Sequence, residues 1–163
     1  MKKIFHFDAP RDRYDCEAAI VWCFDNRFDI GFRKFLKRIG VVFSDPIKVA
    51  GGAKCLASPD QETEREFVLE QIRKSMRLHN TGRVILMVHS DCGAYGGAAA
   101  FPDSEAERLH HREELRRACE TVHHAIPEVD VEPYFVDFEG VWTLAEGVTV
   151  DSLRAISRST VLA

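Results

Sequence analysis

Arg83-Val84-Ile85-Leu86-Met87-Val88-His89 carries five consecutive apolar residues between a guanidinium and an imidazole. A strand with one face in water alternates apolar and polar side chains, whereas one covered on both faces has no need to. The stretch therefore predicts a strand buried between two layers, the place a parallel sheet gives its central strands. It runs straight into Ser90-Asp91-Cys92-Gly93. An imidazole and a thiol thus leave its carboxyl end three positions apart.

Upstream, Glu17 to Phe24 contains a second apolar run, Ala18-Ala19-Ile20-Val21-Trp22, and predicts a second buried strand. It passes into Cys23-Phe24-Asp25-Asn26-Arg27, where alternation puts the thiol, the carboxylate and the guanidinium on one side. Charge without partners is poor core material, so this end reads as the start of a site. Asp29 offers an N-cap for a helix with Phe32, Phe35, Leu36 and Ile39 at helical spacing up to Gly40. Pro46 to Ala50 predicts a short strand ending in Gly51-Gly52, a tight turn or a close backbone approach. Ser58, Pro59 and Gln61 predict the start of a helix whose inner face carries Phe67, Val68, Ile72 and Met76, ended by Asn80-Thr81-Gly82.

Downstream, Gly93 to Ala100 is rich in small residues. Ser104 with Glu107 predicts a capping box for a helix bearing Leu115, Ala118, Cys119, Val122 and Ile126, stopped by Pro127. Val131 to Phe138 predicts a fourth strand, Glu139-Gly140 a turn, and Val141 to Leu144 an antiparallel partner. Lys3 to Asp8 reads as a short edge strand, and the last residues as a short helix or tail. Strands alternating with helices predict a single domain over residues 1–163, a three-layer α/β/α fold with a mostly parallel sheet.

Composition narrows the function classes. Of 163 residues, 45% are hydrophobic and 29% charged, which suits a soluble globular chain. A formal net charge of −4 argues against a nucleic-acid surface. No apolar run is long enough to span a bilayer, and the residues after Met1-Lys2-Lys3 are too polar for a signal-peptide core. Five cysteines without an export signal predict reduced thiols and a cytoplasmic location.

His89 and Cys92 can reach one ion, and Cys23 completes a two-cysteine, one-histidine set suited to Zn²⁺. Three protein ligands leave a fourth position for water, the mark of a catalytic zinc. Two strands that feed one metal must be neighbours, which predicts the order 2-1-3-4 with the site where the order reverses.

The pair of motifs resembles the β-class carbonic anhydrases. Cys23-Phe24-Asp25-Asn26-Arg27 matches that family's C-x-D-x-R motif, and His89-Ser90-Asp91-Cys92-Gly93 its H-x-x-C-G motif. Tyr134 to Gly140 is similar to its last strand and turn, so the resemblance spans roughly Ile20 to Leu144. It implies zinc on Cys23, His89 and Cys92, with Asp25 and Arg27 as a catalytic dyad and Gly93 near substrate. The implied reaction is reversible hydration of CO2 to bicarbonate by a metal-bound hydroxide, in a homodimer. Asp25 would orient the hydroxide and Arg27 would hold Asp25 off the metal; in some members the aspartate instead becomes the fourth ligand.

Two features depart from the family. Typical members read Arg-Asn-Ala-Gly-Asn where this chain reads Lys48-Val49-Ala50-Gly51-Gly52, and they carry N-terminal helices ahead of the first motif, where only Met1 to Trp22 stand here. Both bear on the substrate pocket and the dimer. Rival readings are a carbonyl sulfide or carbon disulfide hydrolase on the same site, a zinc-bearing bicarbonate-binding protein without catalysis, and a metal-free thiol enzyme using Cys92 beside His89.

Other residues take plainer readings. Cys16, Cys55 and Cys119 have no ligand spacing, with Cys119 in the core and Cys55 behind the Gly51-Gly52 loop. His110-His111 and His123-His124 read as solvated, since adjacent helical residues do not face each other. Tyr95 either lines the pocket or packs, and Ser90 and Asp91 form the turn.

Overall fold

The computed structural model describes residues 1–9, 11–12 and 14–144. In chain order these are β1 (Ala18–Trp22), α1 (Asp29–Arg38), β2 (Ser44–Lys48), α2 (Lys54–Ala57), α3 (Glu62–His79), β3 (Arg83–His89), α4 (Ser104–Ala125), β4 (Asp130–Val136) and β5 (Val141–Thr143). The sheet order is β2-β1-β3-β4-β5, parallel except for the β4–β5 pair at the edge. The expected order and antiparallel edge are both present. The expected terminal helix or tail lies outside the described residues.

Every residue of β1 and β3 is buried, and alternation splits their side chains between two cores. Ala19, Val21, Val84, Leu86 and Val88 face α3 and α4 through Val68, Ile72, Leu115, Ala118 and Val122. Ala18, Ile20, Trp22, Ile85 and Met87 face Phe28 and, through Phe32 and Leu36, α1. Trp22 stacks on Phe32, ring centroids 5.4 Å apart. Each valine, leucine, isoleucine, phenylalanine or methionine among them contributes about 1.5–3 kcal/mol by leaving water, which commits both central strands to the interior. Two prolines sit where a missing N–H is tolerated. Pro46 lies on edge strand β2, and Pro133 lies where β4 is paired with β3 but not yet with β5.

Local starts and stops differ from the sequence reading, because side chains that looked like caps found other partners. Residues 3–8 form no strand and are exposed. Asp29 is the first residue of α1, not its cap; ahead of it, Asp25 caps a 3-10 turn over Asn26–Phe28 by accepting from Arg27 N. Ser58 ends α2, a helix the sequence did not signal, and donates to Glu114 across the fold; α3 starts at Glu62 with no side-chain cap. Asp103 caps α4 by accepting from Ala106 N, which releases Glu107 from the expected capping box. Phe67 is 56% exposed, and Leu69 takes the inner position beside Val68 and Ile72. Asn80 adopts the left-handed conformation that ends α3.

The Gly51-Gly52 turn is a close approach, as expected. Gly52 has φ +59°, and a Cβ there would lie 2.3 Å from Met87 O and 3.0 Å from Cys23 N. Ala53 N donates to Met87 O and Val49 N to Trp22 O, so the turn is stitched across the carboxyl ends of β1 and β3. Among the described residues no helix is long and apolar enough to cross a membrane.

Candidate metal centre

β1 and β3 are parallel neighbours, so their carboxyl ends open on the same side of the sheet. Cys23 follows β1 directly, His89 is the last residue of β3, and Cys92 lies one turn beyond it. Asp91, at φ +52°, turns the chain back, and Cys92 O then accepts from Tyr95 N and Gly97 N. Cys23, His89 and Cys92 are buried, and their ligand atoms all lie within 4.8 Å of one another.

The histidine is oriented for a ligand. Its Nδ1–H donates to Ser90 O at 2.8 Å, because a carbonyl can only accept. Nε2 therefore carries the lone pair, and it is buried with no hydrogen-bond partner. Leaving such a group unsatisfied costs about 1–3 kcal/mol. A metal ligand with its other nitrogen tied to a backbone carbonyl is the usual arrangement of a zinc-bound imidazole. The thiols are paired: the hydrogen bond from Cys92 holds the Cys23 thiol well below its ordinary range, against the cost of burial. The same bond and burial push Cys92 up. A zinc-class ion would draw both sulfurs to the thiolate form. Two thiolates and a neutral imidazole fit Zn²⁺ in softness and in charge.

Asp25 stands beside this group, 3.9 Å from His89 Nε2 through Oδ2. Arg27 grips it with Nε at 3.1 Å from both oxygens, Nη2 at 2.7 Å from Oδ2 and its backbone N at 2.9 Å from Oδ1. These bonds hold the Asp25 carboxyl down at about 2 and raise the guanidinium further. Arg27 also donates through Nη1 to Asp91 Oδ2 (2.7 Å) and through Nη2 to Asp91 O (2.9 Å), and lies over the Phe138 ring. Cys23, Asp25, Arg27, His89 and Cys92 are therefore in one place. Gly93, itself exposed, opens a 3-10 turn immediately after Cys92.

Some contributors were not visible in the sequence. Asp91, read only as a turn former, also accepts from Ala98 N and from Arg27, and so ties the two motifs together. Its own N–H donates to Glu107 Oε1 at 2.6 Å, which gives that buried carboxylate a role at the site instead of a cap. His111 is fully buried, contrary to the solvated reading: it stacks on Phe135 and meets Tyr95 edge-on, and burial lowers its pKa to about 3. Tyr95 packs there and donates to Glu114. Cys55 donates to Gly52 O, and burial raises its thiol to about 12. A cavity of about 300 Å³ that includes Ser90, Asp91, Glu107, Arg108 and Phe138 flanks the cluster.

A family model described as "Putative carbonic anhydrase" matches residues 14–146. A protein of Rickettsia bellii named "Uncharacterized protein" is 23% identical over 148 residues, 86% of this chain and 90% of its own length. Another, from Rickettsia conorii, is 21% identical over 131 residues, 78% of this chain and 70% of its own. The fold is similar to a β-carbonic anhydrase of Trichomonas vaginalis, at TM-score 0.58 and 14% identity, over 88% of this chain and 90% of that one. It is similar as well to a carbonic anhydrase of Streptococcus mutans, at TM-score 0.55 and 16% identity, over 82% and 84%. At these identities the solved structures speak to the fold.

Proposed function

The chain belongs to the β-carbonic-anhydrase-like family, and on that premise we propose that it is a zinc lyase interconverting CO2 and water with bicarbonate and a proton. The observation that carries this reading is the buried, unpartnered Nε2 of His89, with two cysteine sulfurs beside it. Zinc held by Cys23, His89 and Cys92 would supply the Lewis acidity that makes water a nucleophile near neutral pH.

The chain's own residues do the rest. Arg27 keeps Asp25 anionic and turned toward the cluster, so that one carboxylate oxygen is available to accept a hydrogen bond from the nucleophile and aim its lone pair at the carbon. Asp91 fixes Arg27 from the far side, and Glu107 fixes the backbone of Asp91. Asp25, Arg27 and the backbone at Gly93 are thus read as the catalytic and substrate-facing set. A homodimer in the cytoplasm belongs to the same reading.

The test is stopped-flow CO2 hydration on zinc-loaded protein. Hydration is expected, and Cys92→Ser is expected to lose both zinc and activity. Undetectable hydration at pH 8 to 9 with stoichiometric zinc in place would sink the lyase reading and leave bicarbonate binding or carbonyl sulfide hydrolysis. Full activity without zinc would sink the metal.

A further inference from the structure

A second set of metal-type donors converges at the opposite end of the sheet. Cys16 precedes β1, Asp45 is the second residue of β2, and His79 is the last of α3. Strands rise about 3.3 Å per residue, so Cys16 lies roughly 20 Å along the chain direction from Cys23. The two groups are separate sites. Cys16 N donates to His79 O at 3.0 Å and Glu17 N to Phe43 O at 2.9 Å, which fixes the backbone around the thiol. The ligand atoms of Cys16, Asp45 and His79 lie within 4.8 Å of one another.

The geometry distinguishes three uses of such a trio. In a nucleophilic relay the thiol and the carboxylate engage opposite nitrogens of the imidazole. Here both meet the same one: His79 Nδ1 is 2.9 and 2.7 Å from the Asp45 oxygens and 3.9 Å from Cys16 Sγ. That arrangement cannot pass a proton through the ring, which excludes a relay. A simple ion pair accounts for Asp45 and His79 but not for the thiol turned in on them, 3.4 Å from Asp45 Oδ1. A tetrahedral zinc with ordinary bond lengths sets its donor atoms about 3.3–3.6 Å apart. The observed spacings of 2.7 to 3.9 Å bracket that range.

The surroundings are those of a ligand carboxylate as well. Ser75 Oγ donates to Asp45 Oδ2 at 2.6 Å, and Thr81 Oγ1, 2.8 Å away, can supply the hydroxyl of Ser75 with its second bond. Both hydroxyl residues are buried. An outer shell of this kind orients a ligating carboxylate. The Tyr14 ring meets His79 edge-on, centroids 4.7 Å apart.

We propose that Cys16, Asp45 and His79 form a second zinc-class metal site, which clamps the segment ahead of β1 to β2 and α3. One thiolate, one carboxylate and one imidazole balance the charge of a divalent ion, and a water or small anion completes the tetrahedron. The site is independent of the first, sharing no ligand with it.

The experiment uses the full chain loaded with excess Zn²⁺ or Co²⁺, cleared of free metal, with folding checked by thermal melts. Metal analysis is expected to find two ions in the unmodified protein, and one each in Cys23→Ser/Cys92→Ser and in Cys16→Ser/His79→Gln. Cobalt in Cys23→Ser/Cys92→Ser is expected to show thiolate charge-transfer absorption that disappears on adding Cys16→Ser. Ser75→Ala, in the otherwise unmodified chain, is expected to weaken one of the two ions about 10–100-fold against a competing chelator and to spare the other. This arm decides the matter even where the cysteine variants fold poorly. The proposal is overturned by a single ion that Ser75→Ala does not weaken, or by cobalt bound without a Cys16-dependent thiolate band. Either result reduces the cluster to an ion pair beside a bystander thiol.

Discussion

Gly52 tests whether the loop behind the metal centre is built as described, and Gly52→Ala is the perturbation. The residue sits at φ +59°, which costs an L-amino acid about 1–2 kcal/mol. Its new Cβ would meet Met87 O at 2.3 Å, Cys23 N at 3.0 Å and the carbonyl carbon of Trp22 at 3.2 Å. All three are backbone atoms of β1, β3 or Cys23, so none can swing aside as a side chain would. Overpacking of that kind typically costs about 1–3 kcal/mol. Together these give a loss of about 2–5 kcal/mol, read by denaturant unfolding of the metal-free protein, with weakened zinc affinity because Cys23 and Met87 must move apart.

Two controls separate the causes. Gly31→Ala, inside α1 with nothing within 4 Å of the new atom, is expected to stabilise by about 0.5–1 kcal/mol. Gly52→Asn restores the residue typical of the family and tolerates a left-handed backbone, yet it brings the same Cβ. It is expected to lose nearly as much as alanine. A loss below about 1 kcal/mol for Gly52→Ala, or an asparagine variant as stable as the unmodified chain, would refute the close approach.

Arg27→Ala is expected to lower CO2 hydration about 10–100-fold while zinc stays bound, because Asp25 loses its orientation; the guanidinium is half exposed, so stability should fall by no more than about 1 kcal/mol. Loss of zinc with the arginine would contradict that division of labour. Hydration should climb as pH rises from about 6 to 9, since two thiolates already neutralise Zn²⁺ and leave its water less acidic; a flat profile counts against the thiolate-rich centre. Asp25 is not the titrating group there. Its pKa is depressed in the fold to about 2, so its pairing with Arg27 is complete above the ordinary carboxylate range and lost only as pH falls through about 2. Zinc uptake at neutral pH should release about one proton, from Cys92, because the pairing of the two thiols lowers Cys23 and raises Cys92. Calorimetry in buffers of different ionisation enthalpy measures it, and uptake with no proton released would show both thiols already ionised.

What the sequence determined by itself was whatever depends on neighbours along the chain. The buried apolar runs of β1 and β3 specified a covered sheet, and each carried metal-type donors at its carboxyl end, so the convergence of Cys23, His89 and Cys92 and the strand order were legible in the sequence. Asp25 and Arg27, two residues apart, were legible as a pair for the same reason. Caps were the weak point. Ser58 and Glu107 carry cap-like signals, but Glu114 and Asp91, distant in the chain, compete for them and win. Only the tertiary structure decided those partnerships, the burial of His111 among aromatic rings, and the meeting of Cys16, Asp45 and His79 from three separate elements. The physical reason is one of range. Periodicity and spacing report on residues a few positions apart, whereas Cys16 and His79 lie 63 positions apart and are neighbours only because β1, β2 and α3 pack as they do.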